Sequence, residues 1–219
     1  MVVTLLSETL VMIQSPSVEV LPLFSTPLYR SKISIDNQNL FDRISSEEFV
    51  DTDNNQFSKR TVNTNLLLEE QYKDIYESIV SHLNNFVYGK LQLACTLKCN
   101  CSWALIGRKG SVTDKHLHPN AVFSGIYYVK STKDNGYLHF SVPQSTPTYC
   151  SSTVQIESKR FNYLNAKAYA MEALTGDIFI FPSHMYHNVT ENKSSEERCA
   201  ISFNFFVDDL YCGDPTAKL

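Results

Sequence analysis

Four of the six histidines stand in two short clusters. His116 and His118 lie in DKHLHPN, and His184 and His187 lie in PSHMYHN, about 70 residues later. Imidazole is the commonest metal ligand in proteins, and an H-x-H pair on a β-strand directs both rings to one face. A third histidine from another strand end would complete a face of three ligands, with sites open for substrate or oxygen. The alternative is that these histidines are only polar residues at strand ends.

The segment RCAISFNFFV, residues 198–207, carries a second feature. In a strand, Arg198, Ser202 and Asn204 share one face and the apolar side chains form the other. An arginine on an inward polar face requires an anion, and a carboxylate is its natural bidentate partner. The alternative is a solvated arginine at the end of a strand.

Tyrosines and cysteines form two further groups. Tyr127 and Tyr128 follow Ser-Gly-Ile in a predicted strand, so one phenol faces inward, where it either bonds the same anion or only packs. The C-x3-C-x-C pattern that ends at Cys101 has no second CxxC pair, unlike most zinc sites. Alternation places Cys99 and Cys101 on one strand face, and we interpret these thiols as structural.

Hydrophobic periodicity predicts the elements that must position these residues. Residues 66–92 form the clearest helix, with one apolar face made of Tyr72, Ile75, Ile79, Leu83, Phe86 and Val87. Residues 36–64 are polar and predict a short helix around 39–46 and a surface loop. From Leu91 onward apolar residues recur with a period of two, as in strands. The segment KDNGY predicts a hairpin turn at Asn135-Gly136. Many short strands indicate a β-sandwich or barrel, with the long helix packed on one outer sheet face.

Composition narrows the class of protein. A chain of 219 residues with 43% hydrophobic and 19% charged residues is typical of one globular domain. Its net charge of −4 gives no basic face for nucleic acid. The apolar N-terminus carries Glu8 and no basic start, so we interpret it as a strand or arm and expect no signal peptide and no membrane span. Six cysteines are too few for a disulfide scaffold, which favours a cytoplasmic location.

Several of these features together, in their order along the chain, resemble the Fe(II)/2-oxoglutarate-dependent dioxygenases. They are His116-Leu-His118, SGIYYV, GDIFIFP, His187 and Arg198, and the opening LFSTPLY is similar as well. The most similar members are small bacterial and phage oxygenases with H-x-H-P-N and S-G-x-Y-Y patterns. The resemblance covers residues 20–208 of a single domain, 1–219. It implies a mainly β fold, the double-stranded β-helix, a jelly-roll or cupin-like barrel formed by the C-terminal half with one long and one short packing helix.

The resemblance also implies a ligand set for Fe(II). The family motif is His-x-Asp/Glu…His, whose first histidine matches His116 and whose distal histidine matches His187. The carboxylate position then falls on His118, with Asp114 and Asn120 as alternatives. Without a carboxylate the iron site is more cationic, which dianionic 2-oxoglutarate would offset.

For the cosubstrate, the resemblance implies three contacts to the distal carboxylate of 2-oxoglutarate. Arg198 would form the salt bridge, Ser202 would donate a hydrogen bond from the same strand face, and Tyr128 would contact the same group. His184 has no matching role in the family.

The implied function is an oxygenase that uses Fe(II), 2-oxoglutarate and O2, releases succinate and CO2, and hydroxylates an unidentified small molecule or peptide. The polar stretches 36–64 and 143–165 are the expected substrate contacts. One alternative is a three-histidine, cupin-like metalloenzyme that does not use 2-oxoglutarate. Another is a non-catalytic β-helix module used for binding.

Overall fold

The computed structural model describes residues 20–21, 25–52, 55–142, 159–162 and 164–208. In chain order the elements are β1 (Tyr29–Lys32), α1 (Asn37–Ser45), β2 (Phe49–Thr52), β3 (Asn55–Thr61), 3-10 turns at Leu66–Leu68 and Glu70–Tyr72, α2 (Lys73–Asn84), a π-helical turn at Asn85–Lys90, β4 (Leu97–Gly107), β5 (Thr113–His116), β6 (Phe123–Lys130), a 3-10 turn at Lys133–Asn135, β7 (Tyr137–Ser141), β8 (Ala168–Glu172), β9 (Asp177–Pro182), β10 (Tyr186–Val189) and β11 (Arg198–Val207). The predicted N-terminal strand or arm and most of the polar stretch 143–165 lie outside the described residues.

Two antiparallel sheets face each other. The larger has the strand order β1-β9-β6-β11-β4-β3-β2, and the smaller has the order β5-β10-β7-β8. From β4 to β11 the chain passes back and forth between the sheets, with β7 and β8 as the one consecutive pair in the same sheet. This arrangement is the predicted double-stranded β-helix, mainly β, with one long and one short helix packed on it.

The larger sheet is covered by apolar side chains on both faces. On its outer face the helices pack against alternate residues of β11, among them Ile201 and Phe203. On its inner face Ala200 and Tyr128 pack with side chains of the smaller sheet, among them Phe140. The strand alternation predicted for residues 198–207 is therefore confirmed, and it turns the Arg198 face toward the space between the sheets.

The predicted helix face is confirmed, although the helix is not regular along its whole length. Ile75, Ile79 and Leu83 of α2 are almost fully buried, as are the flanking side chains of the predicted face. These side chains pack on the outer face of the larger sheet, which carries Arg198. No helix among the described residues is long and apolar enough to cross a membrane.

The polar stretch 36–64 differs from its prediction. The short helix is present as α1, but the predicted surface loop contains β2 and β3, which extend the larger sheet at the β4 edge. β2 is the edge strand and β3 lies between it and β4. Strands at a sheet margin tolerate polar side chains, so the sequence of this pair lacks the apolar alternation that would predict strands.

The KDNGY segment and the paired cysteines also differ from their predictions. The turn at Asn135-Gly136 joins β6 to β7 in the opposite sheet, so it is not a hairpin. In β4 the register skips Asn100, because Cys101 pairs with Asn204 whereas Cys99 pairs with Phe205. This bulge puts the two thiols on opposite faces, since an extra residue reverses the alternation.

Gly125 of β6 provides a test of this packing. A Cβ atom there would lie 2.2 Å from the Phe203 ring and 2.7 Å from the Phe179 carbonyl oxygen. We expect Gly125→Ala to lower the free energy of unfolding by about 1–3 kcal/mol, because the backbone oxygen cannot rotate away. Gly89→Ala is the matched control, since nothing lies within 4 Å of its Cβ position. Urea denaturation measures both variants, and equal midpoints would contradict the packing described.

Candidate metal centre and anion pocket

Three histidines meet at one end of the space between the sheets. The ligand nitrogens of His116, His118 and His187 all lie within 4.8 Å of one another, and they are the one such group among the described His, Cys, Asp and Glu residues. His116 and His187 occupy directly opposite positions on β5 and β10, and their ring centroids are 4.3 Å apart. The pairing register of these two short strands therefore brings two of the three histidines together.

His118 reaches the cluster by a different route from the one predicted. It lies two residues beyond the end of β5, so the H-x-H pair does not share one strand. Its backbone N–H donates to the Ser183 carbonyl oxygen at 3.0 Å, which ties the loop to the connection between β9 and β10. Its ring stacks on His187 with centroids 5.1 Å apart.

Backbone carbonyls fix the tautomers of two rings. His116 Nδ1 lies 2.7 Å from the Asp114 carbonyl oxygen, and His187 Nδ1 lies 2.9 Å from the Met185 carbonyl oxygen. A carbonyl oxygen only accepts, so each Nδ1 carries the proton and donates. Each Nε2 then keeps its lone pair, which is the arrangement found in metal-binding imidazoles.

Burial favours the neutral form of two rings of the cluster. It lowers the pKa of His118 to about 4, with a further contribution from His116. It also lowers the pKa of His187 to about 4; the hydrogen bond to Met185 opposes this, and the neighbouring imidazoles add to it. At neutral pH these rings are therefore uncharged, the form that binds a cation.

The other candidate ligands lie apart from the cluster. Asp114 is exposed and contributes only its backbone carbonyl, to His116. Asn120 is exposed, and its carbonyl accepts from Asn100. His184 is also exposed. None of these side chains joins the group of three imidazoles.

Aromatic side chains wall the cluster. The Phe181 and Phe140 rings lie 4.7 and 6.2 Å from His187, centroid to centroid, and Trp103 lies 6.2 Å from His118. Phe140 and Phe181 belong to the apolar core between the sheets. These rings exclude water from one side of the histidines.

A second polar site, here called the anion pocket, consists of Arg198 and Tyr128. Arg198 is 7% exposed and Tyr128 is 1% exposed. The guanidinium donates through Nη1 to the Asn135 carbonyl oxygen and forms no ion pair with any described residue. The Tyr128 hydroxyl is buried with no hydrogen-bond partner in the described structure.

The electrostatics of this pocket favour an anion. Burial lowers the pKa of Arg198, and burial raises the pKa of Tyr128 to about 12, although the nearby guanidinium opposes that rise. Arginine nevertheless stays protonated in proteins, so the pocket holds a positive charge and a phenol that can donate. A buried charge without a partner is costly, and a carboxylate would satisfy both groups.

Ser202 does not join Arg198. It lies four residues further along β11, about 13 Å at the usual rise per residue, and Ala200 occupies the nearer inward position. Its pairing partners are Trp103 and Ile126. Trp103 contacts His118, so the Ser202 hydroxyl lies toward the histidine end of the space between the sheets.

Two asparagines that were not predicted as site residues position the arginine. Asn135 is fully buried, and its amide nitrogen donates to Asn192 Oδ1 at 2.9 Å and to the Glu196 carbonyl oxygen. Asn192, also fully buried, donates to the Gly107 carbonyl oxygen at 3.0 Å. In the sequence Asn135 belongs to the predicted turn, and no local signal links it to Asn192.

The fold and the three-histidine cluster can be compared with those of known protein families. A family model described as "Putative 2OG-Fe(II) oxygenase" matches residues 101–204, a range that contains all three histidines and Arg198. No curated protein matches the sequence.

Solved structures show the same fold at low sequence identity. HygX from Streptomyces hygroscopicus, with nickel and 2-oxoglutarate bound, has 10% identity and a TM-score of 0.60 over 83% of each chain. The α-ketoglutarate-dependent epimerase SnoN from nogalamycin biosynthesis has 11% identity and a TM-score of 0.61, over 84% of this chain and 77% of SnoN. A Pseudomonas putida prolyl-4-hydroxylase has 13% identity and a TM-score of 0.54, over 83% and 92%.

The solved structures show the fold, and the family model that matches a little under half of the chain is that of the 2OG-Fe(II) oxygenases. The subgroup with the H-x-H-P-N and S-G-x-Y-Y patterns stays a prediction.

The depressed histidine pKa values predict how the metal-free protein responds to acid. An unfolded histidine has a pKa near 6.5, so between about pH 6.5 and 4 the unfolded state binds more protons. The free energy of unfolding should therefore fall as the pH falls through this window. His187→Asn should flatten that dependence, whereas His184→Asn, at an exposed site, should leave it unchanged. Urea denaturation with a chelator at pH 7.5 and 5 measures this, and parallel wild-type and His187→Asn profiles would contradict it.

Proposed function

We propose that this protein is an Fe(II)- and 2-oxoglutarate-dependent oxygenase that hydroxylates its substrate. The observation that carries the proposal is the pairing of two sites in one space between the sheets. A cluster of three imidazoles stands toward one end, and a buried guanidinium without an ion pair among the described residues stands on the inner face of the larger sheet. A 2-oxo dicarboxylate has a metal-chelating head and a distal carboxylate, which match these two sites.

The residues fit Fe(II). His116 and His187 present Nε2 lone pairs, because their Nδ1 protons are held by carbonyl oxygens. His118 is partly buried, and its lowered pKa keeps the ring neutral at pH 7, as a ligand must be. Imidazole is a suitable ligand for iron, and three protein ligands leave positions open for cosubstrate and oxygen. We therefore assign all three histidines as the metal ligands, with His118 in the position where a carboxylate is usual.

The residues also fit 2-oxoglutarate. Three neutral imidazoles add no negative charge, so a bound Fe(II) and Arg198 would make the space between the sheets strongly cationic. A dianion offsets that charge. Arg198 and the Tyr128 hydroxyl would hold its distal carboxylate, since both lack an acceptor of that kind in the described structure.

When bound, Fe(II) with 2-oxoglutarate supplies oxygen activation coupled to the release of succinate and CO2. The chain's own contributions are binding, orientation and exclusion of water. The three histidines would hold the metal, Arg198 and Tyr128 would orient the cosubstrate, and Phe140 and Phe181 would exclude water from one side of the site.

The prime substrate is a small molecule or a peptide. The similar structures include both an epimerase and a prolyl hydroxylase, so the fold is compatible with more than one reaction. Hydroxylation is our proposal for this chain, because it is the simplest outcome of this site and needs no further group.

Removal of a ligand tests the metal site. We expect His187→Ala to abolish stoichiometric Fe(II) binding, because only two imidazoles remain. His184→Ala, three residues away and exposed, should bind one Fe(II) as the wild type does. Anaerobic titration with metal analysis measures both. Full iron occupancy in His187→Ala would show that His187 is not a ligand.

Removal of the guanidinium tests the cosubstrate site. Arg198→Ala should keep its iron but bind 2-oxoglutarate at least about 100-fold more weakly, since breaking a buried ion pair costs about 3–5 kcal/mol. Arg108→Ala removes an exposed arginine paired with Glu197 and should have no effect. The visible charge-transfer band of the chelated 2-oxo acid reports binding under anaerobic conditions.

The same titration of the wild type separates the alternatives. Iron with a 2-oxoglutarate-dependent band supports the oxygenase. Iron without that band indicates a three-histidine metalloenzyme of another kind. No stoichiometric iron would favour a non-catalytic binding module.

A further inference from the structure

Ser111, in the connection between β4 and β5, carries another buried hydroxyl without a hydrogen-bond partner in the described structure. Its side chain is fully buried, and its Oγ has no hydrogen-bond partner in the described structure. Such a group is uncommon in a folded protein and calls for an explanation. The other such hydroxyl that faces a positive charge is that of Tyr128, in the anion pocket.

Gly107 shows that Ser111 lies beside this pocket. Gly107 pairs directly with Arg198 across the β4–β11 ladder, so a side chain at Gly107 would point to the same sheet face as the arginine. A Cβ atom there would lie 2.4 Å from Ser111 Oγ and 3.4 Å from Arg198 Nη2. The hydroxyl and the guanidinium therefore border the same small space, which exists because residue 107 has no side chain.

One network holds both groups in place. The Asn192 backbone donates to the Ser111 carbonyl at 2.9 Å and accepts from the Gly110 N–H at 2.7 Å. The Asn192 side chain is bonded to that of Asn135, whose carbonyl accepts from Arg198 Nη1. Ser111 and Arg198 are thus positioned relative to each other before any ligand arrives.

We propose that Ser111 donates a hydrogen bond to the distal carboxylate of the 2-oxo acid, alongside Arg198 and Tyr128. This inference rests on the proposed function. A carboxylate has about four lone-pair sites, enough for a guanidinium, a phenol and an alcohol. In this proposal Ser111 has the role that the resemblance implies for Ser202.

The test compares two ligands that differ only at the distal end. 2-Oxoglutarate carries the second carboxylate, and 2-oxopentanoate has a methyl group in its place. In the Fe(II)-loaded protein, Ser111→Ala should weaken 2-oxoglutarate about tenfold, as expected for a lost hydrogen bond to a charged group. The affinity for 2-oxopentanoate should change less than twofold, because that ligand offers Ser111 nothing to bond. The anaerobic charge-transfer band reports both dissociation constants.

Ser131→Ala is the matched control. Ser131 is also a buried serine at a strand end, but its hydroxyl already donates to the Ala173 carbonyl oxygen at 2.7 Å. Its loss should leave the ratio of the two dissociation constants unchanged. If Ser111→Ala does not fold, Ser111→Gly removes the same hydroxyl with a residue that a connecting loop accommodates.

Each outcome decides the matter. An unchanged ratio in Ser111→Ala, or equal weakening of both ligands, would overturn the assignment and leave Ser111 as a structural residue. A wild-type protein that binds 2-oxoglutarate no better than 2-oxopentanoate would overturn the proposed cosubstrate itself, which is a different result from the failure of Ser111 alone.

Discussion

The burial of one guanidinium constrains the rest of this structure. Arg198 lies between two sheets, 7% exposed, with a backbone carbonyl as its hydrogen-bond acceptor and no ion pair among the described residues. A positive charge in such a place is unfavourable until an anion arrives. The asparagine pair, the glycine at position 107 and the two unpartnered hydroxyls all make sense as the wall of a space kept for that anion. Stability is given up locally so that the pocket is formed in advance.

The two sheets determine how the anion pocket and the histidines are placed relative to each other. β10 carries His187 in direct register with His116 of β5, and the chain then crosses to β11, which begins with Arg198. Both sites thus lie on inner faces of the two sheets, and aromatic side chains of the core lie in the same space. The helices pack on the opposite, outer face of the larger sheet, where they bury the apolar side chains of β11.

Much of this could be predicted from the sequence, because periodicity reports which face is buried. The helical spacing of Ile75, Ile79 and Leu83 and the strand alternation after Arg198 both predicted the correct faces. Features without a period could not be predicted. A single extra residue, Asn100, separates two cysteines that alternation joins. The Asn135–Asn192 hydrogen bond joins residues 57 positions apart. Ser111 lies near Arg198 because Gly107 pairs with Arg198 across the sheet, and a local sequence pattern does not predict that pairing.

The position of β5 has a further consequence. It is a four-residue strand at the edge of the smaller sheet. Among the described strands it pairs with β10, with His116 opposite His187 and Thr113 opposite Val189. A cation shared by those histidines would cross-link the edge strand to its neighbour. Part of the ion's binding free energy would then serve as folding free energy for this margin of the barrel. The histidines would then both bind the metal and stabilise the pairing of this short edge strand.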